Sequence, residues 1–244
     1  MPASIRPPRR THAWYESQGN LGGRLNSLRA AVLGANDGIV SVAGIVIGVA
    51  GATSDRHALV VAGLAGLSAG AMSMAVGEYV SVSAQRDSEK AMLAMEKAEL
   101  AAMPEAELTE LEGLLGEAGM SEQTSKVAAR ELTEHDALGT HARVELDIDP
   151  SHDRANPVSA ALASLGAFIA GGVIPFLAVL FAPNTAAVMV TVIAVVVALA
   201  ITGFTSARLG RAPAGLAVMR NVAGGLFAMG VTYLIGTLFG TTIS

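Results

Sequence analysis

Two carboxylates stand alone inside long apolar stretches of the sequence, and the residues around them are types that bind cations. Asp37 lies in Asn36-Asp37-Gly38-Ile39-Val40-Ser41 and is the only charge between residues 30 and 52; Glu78 is the only charge between residues 58 and 82. On a helix Asp37 shares a face with Gly34, Ser41, Gly44 or Ala43, Gly48 and Gly51, while Gly66, Gly70, Met74 and Glu78, spaced by four, form one line. Small residues let two helices approach closely. A carboxylate from each helix, the Met74 thioether and the oxygens of Asn36 and Ser41 would replace part of the hydration shell of a divalent transition metal. Carboxylate oxygens suit Mn and Fe(II), and a thioether adds a soft ligand that Mg or Ca does not favour. The structural alternative is that Asp37 caps or hydrogen-bonds a neighbouring helix, with Glu78 at the membrane surface near Arg86.

The elements that must hold these groups are membrane helices. Of 244 residues, 52% are hydrophobic and only 15% charged, with mean hydropathy +0.50, against about 25% charged in an ordinary soluble domain. Residues 158–182, 184–207 and 221–244 carry no charge at all, and about 20 residues of helix cross the hydrocarbon core. With 30–52 and 58–82 these make five predicted spans, broken at Asp55-Arg56-His57, at Ala182-Pro183-Asn184 and between Arg208 and Pro213. Gly171-Gly172 before Pro175 is either a flexible point in the third span or a site of tight packing. The absence of Cys excludes disulfides, thiolate metal sites and cysteine nucleophiles.

Charge is segregated along the chain. Residues 87–153 hold 17 acidic against 5 basic side chains, and the remainder 4 against 11. Arg6, Arg9, Arg10, Arg24 and Arg29 precede the first span, and Arg208, Arg211 and Arg220 flank the last connection. The excess of Lys and Arg on one side predicts a cytoplasmic N-terminus and acidic block, with Ser244 outside. Residues 1–20 have no apolar core of a secretory signal. The expected organisation is a basic cytoplasmic arm over 1–24, two transmembrane helices over 25–85, an acidic helical domain over 86–153 and three more transmembrane helices over 154–244.

The acidic block offers a second cation site. No Gly or Pro occurs between Glu78 and Ala102, so the second helix continues into the cytoplasm and sets Glu96 about 27 Å beyond Glu78. Pro104 opens a short helix that Gly113, Gly116 and Gly119 end, and Ser121 caps a third that runs toward Asp147 and Asp149. Glu96 and Glu99 are three apart, as are Glu107 and Glu110, and a reversal near Pro104 brings the two pairs face to face. His141 and Glu145 are four apart on one face, with Glu131, Glu134 and His135 earlier. Oxygen ligands with an imidazole at such spacing build cation sites, although solvated acidic faces are also common.

Ala35-Asn36-Asp37-Gly38-Ile39-Val40-Ser41 and Ser73-Met74-Ala75-Val76-Gly77-Glu78-Tyr79-Val80-Ser81 resemble the motifs of the vacuolar iron transporter family, which includes nodulin-like proteins, and the resemblance runs from Leu25 to the C-terminus. It implies an all-α membrane protein: a homodimer of five-span subunits with a cytoplasmic three-helix metal-binding domain inserted between spans two and three. It implies proton-coupled export of Fe2+, and also Mn2+, from the cytosol, with no tightly bound cofactor. Position by position, Asp37 and Met74 match the membrane metal site and Glu78 the Gly-Glu-Tyr motif. Glu96, Glu99, Glu107, Glu110 and Glu145 match the cytoplasmic carboxylates. Where some members carry a Met pair, this chain has His141 and Ala142, so the imidazole substitutes as a ligand or that corner is weaker.

The alternatives are a transporter of another divalent cation, such as Ca or Zn, and a membrane metal sensor or scaffold that moves nothing. A membrane enzyme is not expected: there is no His-Glu-x-x-His, no Gly-x-Ser-x-Gly and no mid-span His. No nucleic acid partner is expected. A bacterial inner membrane is the expected location, or a vacuolar membrane if the source is eukaryotic.

Overall fold

The computed structural model of the chain describes residues 13–150 and 156–243. Seven α-helices hold almost all of them: α1 (Ala13–Ala52), α2 (Arg56–Ala102), α3 (Pro104–Glu117), α4 (Glu122–Val144), α5 (Pro157–Phe181), α6 (Ala187–Gly210) and α7 (Ala214–Ile243). A single 3-10 turn, Asn184–Ala186, leads into α6. Five stretches are long and apolar enough to cross a membrane: Ala30–Ala52 within α1, then α2, α5, α6 and Ala214–Gly240 within α7. The first twelve residues of the basic arm lie outside the described residues, and from Ala13 onward the arm is continuous with α1.

The chain forms two compact units, the described residues of Met1–Val76 with Ala161–Ser244, and Gly77–Ala160. In the first, α1 stands between two apolar clusters. Its Val42 and Val46 pack with Leu59, Ala71, Phe168 and Val179, while Ile39, Ala43 and Ile47 pack with Val195, Leu199 and Met229. A helix buried on two sides must be apolar nearly all round, which is why the hydrophobic pattern of α1 shows no single stripe.

Backbones meet where α1 crosses α5. A Cβ at Gly38 would run into the Phe168 carbonyl and stand 2.8 Å from the Gly172 nitrogen, and one at Gly171 would strike the Ala35 carbonyl. Gly171, Gly172 and Pro175 are all buried within α5, so the glycine pair serves tight packing. At the opposite end of α1 the break before α2 is built by Asp55, whose Oδ1 accepts the His57 N–H at 3.0 Å. Arg56 then reaches across to donate to the Leu180 carbonyl at the end of α5.

The second unit owes its turns to local chemistry. Pro104 occupies the first turn of α3, where its missing N–H costs nothing. The helix closes with Gly119 at φ 101°, Met120 N–H bonding Leu115 O at 3.2 Å and Gly119 N–H bonding Gly116 O at 2.9 Å, the double bond that a left-handed residue completes. Gly113 and Gly116, predicted to help end this helix, lie inside it. Ser121 caps α4 by accepting the Thr124 N–H at 3.3 Å. Leu111 and Leu115 of α3 bury against Ala129 of α4, flanked by Leu108, Ala128 and Leu132.

One expectation is corrected here. The third helix of the acidic block does not run unbroken from Ser121: at Asp136 the backbone leaves helical geometry (φ −163°, ψ 83°) and restarts. Asp136 Oδ1 accepts the Gly139 N–H at 2.9 Å and so caps the second stretch. That stretch ends at Val144, before Asp147 and Asp149.

Candidate metal centre

Glu96 comes from α2, Glu107 from α3, and His141 with Glu145 from the restarted end of α4. Each places one ligand atom within 4.8 Å of all the others. His141 is wholly buried, and its Nδ1 lies 3.0 Å from Glu96 Oε1, 3.3 Å from Glu145 Oε2 and 3.7 Å from Glu107 Oε2. Glu96 and Glu107 are buried too, whereas Glu145 reaches the surface. His141 Nε2 is buried without a hydrogen-bond partner, and Glu96 Oε1 has no polar partner beyond the His141 ring nitrogen. Such groups cost free energy unless something satisfies them.

Among the described residues no Lys or Arg enters this group, so three carboxylates face one another around an imidazole. Burial first, then the negative charges of Glu145, Glu107 and Glu99 against the opposing pull of His141, push the Glu96 carboxyl up from 4.5 to about 7. Glu107 is raised by burial and then by Glu110, with Glu99 and Glu145 adding and His141 opposing. A divalent cation inverts both causes, since it supplies positive charge where burial penalises negative. The donor set of three oxygens and one nitrogen fits a borderline dication such as Fe2+ or Mn2+.

Glu99 and Glu110, paired with Glu96 and Glu107 by spacing, contribute charge to this group but no atom within it; Glu99 is half-buried and Glu110 exposed. Ala142 is buried next to His141.

In the first unit Asp37 is exposed on the surface of the chain, and Ser41 Oγ donates to its Oδ1 at 3.0 Å. Among the described residues no basic side chain pairs with it. Asn36, expected to lend its oxygen beside Asp37, is committed elsewhere: its Oδ1 accepts from Asn221 Nδ2 on α7 at 3.0 Å and from Thr202 Oγ1 on α6 at 3.4 Å. Successive helical residues differ by about 100°, so holding Asn36 against α6 and α7 turns Asp37 outward. The glycines expected on the Asp37 face also have other neighbours: Gly34 meets Ala167 of α5, and Gly44 and Gly48 meet Thr232 of α7. Along α2, Gly66 faces Ile45 and Gly70 faces the Phe168 ring, and Met74 packs half-buried on the cluster of Val42, Val46 and Phe168. Glu78 is half-buried one turn further on.

Nothing in the sequence marked Thr202 or Asn221, although two polar residues in an apolar run are a usable signal. Asp136 had one as well, an Asp three residues ahead of a Gly in a stretch otherwise patterned as helix.

Helices this apolar, with large side chains such as Phe181, Phe227 and Leu238 left uncovered, define an integral membrane protein. The VIT family profile matches residues 28–237, and the chain belongs to that family. Its members are transporters rather than enzymes. The vacuolar iron transporter of Acanthamoeba castellanii is 42% identical over 212 residues, covering 86% of this chain and 78% of that protein. Vacuolar iron transporter homolog 5 of Oryza sativa subsp. japonica is 38% identical over 221 residues, 90% of this chain and 84% of the relative. Vacuolar iron transporter homolog 2 of Arabidopsis thaliana is 36% identical over 214 residues, 87% and 84% of the two.

Proposed function

We propose that this protein is a proton-coupled transporter that exports Fe2+, and also Mn2+, from the cytosol. The observation that carries the reading is the largely buried group of Glu96, Glu107, His141 and Glu145, which no Lys or Arg enters among the described residues. Relatives whose names describe them as vacuolar iron transporters support iron as cargo. In this reading residues 86–153 form a cytoplasmic collector that concentrates the dication electrostatically. Glu99 and Glu110 strengthen its field. Asp37, Met74 and Glu78 carry the ion through the membrane.

The same reading makes the functional unit a homodimer. An exposed carboxylate at membrane depth costs several kcal/mol, roughly, unless it lines a polar path, and a second copy laid against the face of Leu33, Asp37 and Ser41 would enclose one. Ionised Asp37 and Glu78 bind the metal, and protonation releases it on the far side, so the two cargos compete for one pair of groups. No resident cofactor is needed. The N-terminus and the acidic unit face the cytosol of a bacterial inner membrane, or of a vacuolar membrane in a eukaryote.

The test is metal flux into liposomes holding the purified chain, with and without an imposed pH gradient. Fe2+ and Mn2+ should enter faster than Zn2+ or Ca2+, the gradient should accelerate them, and Asp37→Asn should abolish most of the flux. Flux at the unaltered rate in Asp37→Asn removes that residue from the path. Binding without any flux leaves a membrane metal sensor.

A further inference from the structure

The break in α4 decides which residues of that helix face inward. Before it, Ser125, Ala129 and Leu132 supply the face packed in the α3 and α4 interior. At about 100° per residue, an unbroken helix would carry that face through to Arg143. His141 and Glu145 would then be turned roughly 150° to 190° away from it, toward solvent. The observed arrangement is the reverse: His141 is wholly buried, and the Arg143 side chain is 46% exposed. The rotation occurs at Asp136, where the helix stops and restarts.

Three contacts hold the break. Asp136 Oδ1 accepts the Gly139 N–H at 2.9 Å, Asp136 Oδ2 lies 3.6 Å from Arg143 and keeps that guanidinium on the outside, and Gly139 leaves room for the carboxylate, since a Cβ there would collide with it. Asp136 is half-exposed and contributes no atom to the group of Glu96, Glu107, His141 and Glu145.

We infer that Asp136 and Gly139 are positioning residues for metal binding: the cap on the restarted helix aims His141 and Glu145 at Glu96 and Glu107, and without it the site loses its α4 ligands. This rests on the metal reading of that group. The residues act only through the direction of the helix, so the side chain at 136 must be a cap and need not be charged.

Co2+ binding to the full chain in detergent, followed by its visible absorption, tests this, with helicity checked by circular dichroism. Asp136→Ala should weaken binding about tenfold, the low end for residues that orient metal ligands, while Asp136→Asn, an equally good cap, should stay within about twofold. Gly139→Ala is the sharper variant. Ala favours helix over Gly, so a purely structural role predicts tighter or unchanged binding, whereas displacement of the Asp136 carboxylate predicts the same loss as Asp136→Ala. In a His141→Ala, Glu145→Gln background, where α4 supplies no ligand, neither substitution should cost more than about twofold further. Equal losses in Asp136→Asn and Asp136→Ala, unaltered binding in Gly139→Ala, or full additivity with the loss of both α4 ligands each overturn the inference. Unaltered Co2+ binding in Glu96→Gln overturns the metal reading itself. Loss in Glu96→Gln with none in Asp136→Ala and Gly139→Ala overturns the positioning role alone.

Discussion

Asn221 on α7 donates its side-chain N–H to Asn36 on α1 at 3.0 Å, and the residue that follows Asn36 is the lone carboxylate Asp37. Thr202 on α6 donates to the same oxygen and accepts from Asn221, each at 3.4 Å. Three helices are thus joined by one polar triangle inside apolar surroundings.

Replacing Asn221 by Leu removes two of the three bonds and leaves Asn36 and Thr202 only the 3.4 Å bond between them, at a cost of about 1 to 3 kcal/mol. Thr202→Val leaves the shortest bond in place and should cost about 0.6 kcal/mol, typical of an interhelical hydrogen bond in a membrane protein. Thermal unfolding of the purified chain orders the two; a Thr202→Val chain that melts below Asn221→Leu contradicts the arrangement.

Two glycine substitutions should move stability in opposite directions. Gly38→Ala drives a methyl into the Phe168 carbonyl, whereas a Cβ at Gly113 of α3 meets nothing within 4 Å. The first should destabilise by about 1 to 3 kcal/mol through forced separation of α1 and α5. The second should stabilise by about 0.5 to 1 kcal/mol through helix propensity. Melting of the two variants beside the unaltered chain is sufficient to check this.

Metal binding at the group of Glu96, Glu107, His141 and Glu145 should release protons. Glu96 titrates at about 7 instead of 4.5, so near neutral pH it is half protonated and a dication must displace that proton. With one such group, apparent affinity should fall about tenfold between pH 8 and pH 6. Isothermal titration in buffers of different ionisation heat reads the proton directly, and Glu96→Gln should reduce the pH dependence together with most of the affinity.

The same shift carries the opposite sign for the metal-free fold. A carboxyl that holds its proton more tightly when folded stabilises the folded state at low pH, and that stability is lost as pH rises from about 4.5 to about 7. Metal-free chain should therefore resist proteolysis within residues 87–150 better at pH 5.5 than at pH 8. Added Mn2+ should restore resistance at pH 8; equal cleavage at both pH values would contradict the shift.

Long uncharged runs made the five apolar helices readable, because their length leaves few alternatives, and Pro104 and Ser121 announced their helix starts by local chemistry alone. The carboxylates at Glu96, Glu107 and Glu145 were visible as types at helical spacing. Spacing could not separate Glu96 and Glu107, which turn inward, from Glu99 and Glu110, which place no ligand atom in the group, because a helix has no inside until its neighbours are placed. A third helix running unbroken from the Ser121 cap would have buried Arg143; only a second cap, hidden in a polar run, reverses this. The commitment of Asn36 depended on partners 166 and 185 residues away, beyond the reach of any local pattern.

The glycines of α1 restrict how any transport cycle could run. With the α5 backbone seated at Gly38 and the α7 backbone seated at Gly51, α1 has no room to swivel about its own axis without driving main chain into main chain. Asp37 is then held fixed beside α5 and α7, and in the proposed transport cycle whatever opens and shuts must be sought in the parts that swing past it.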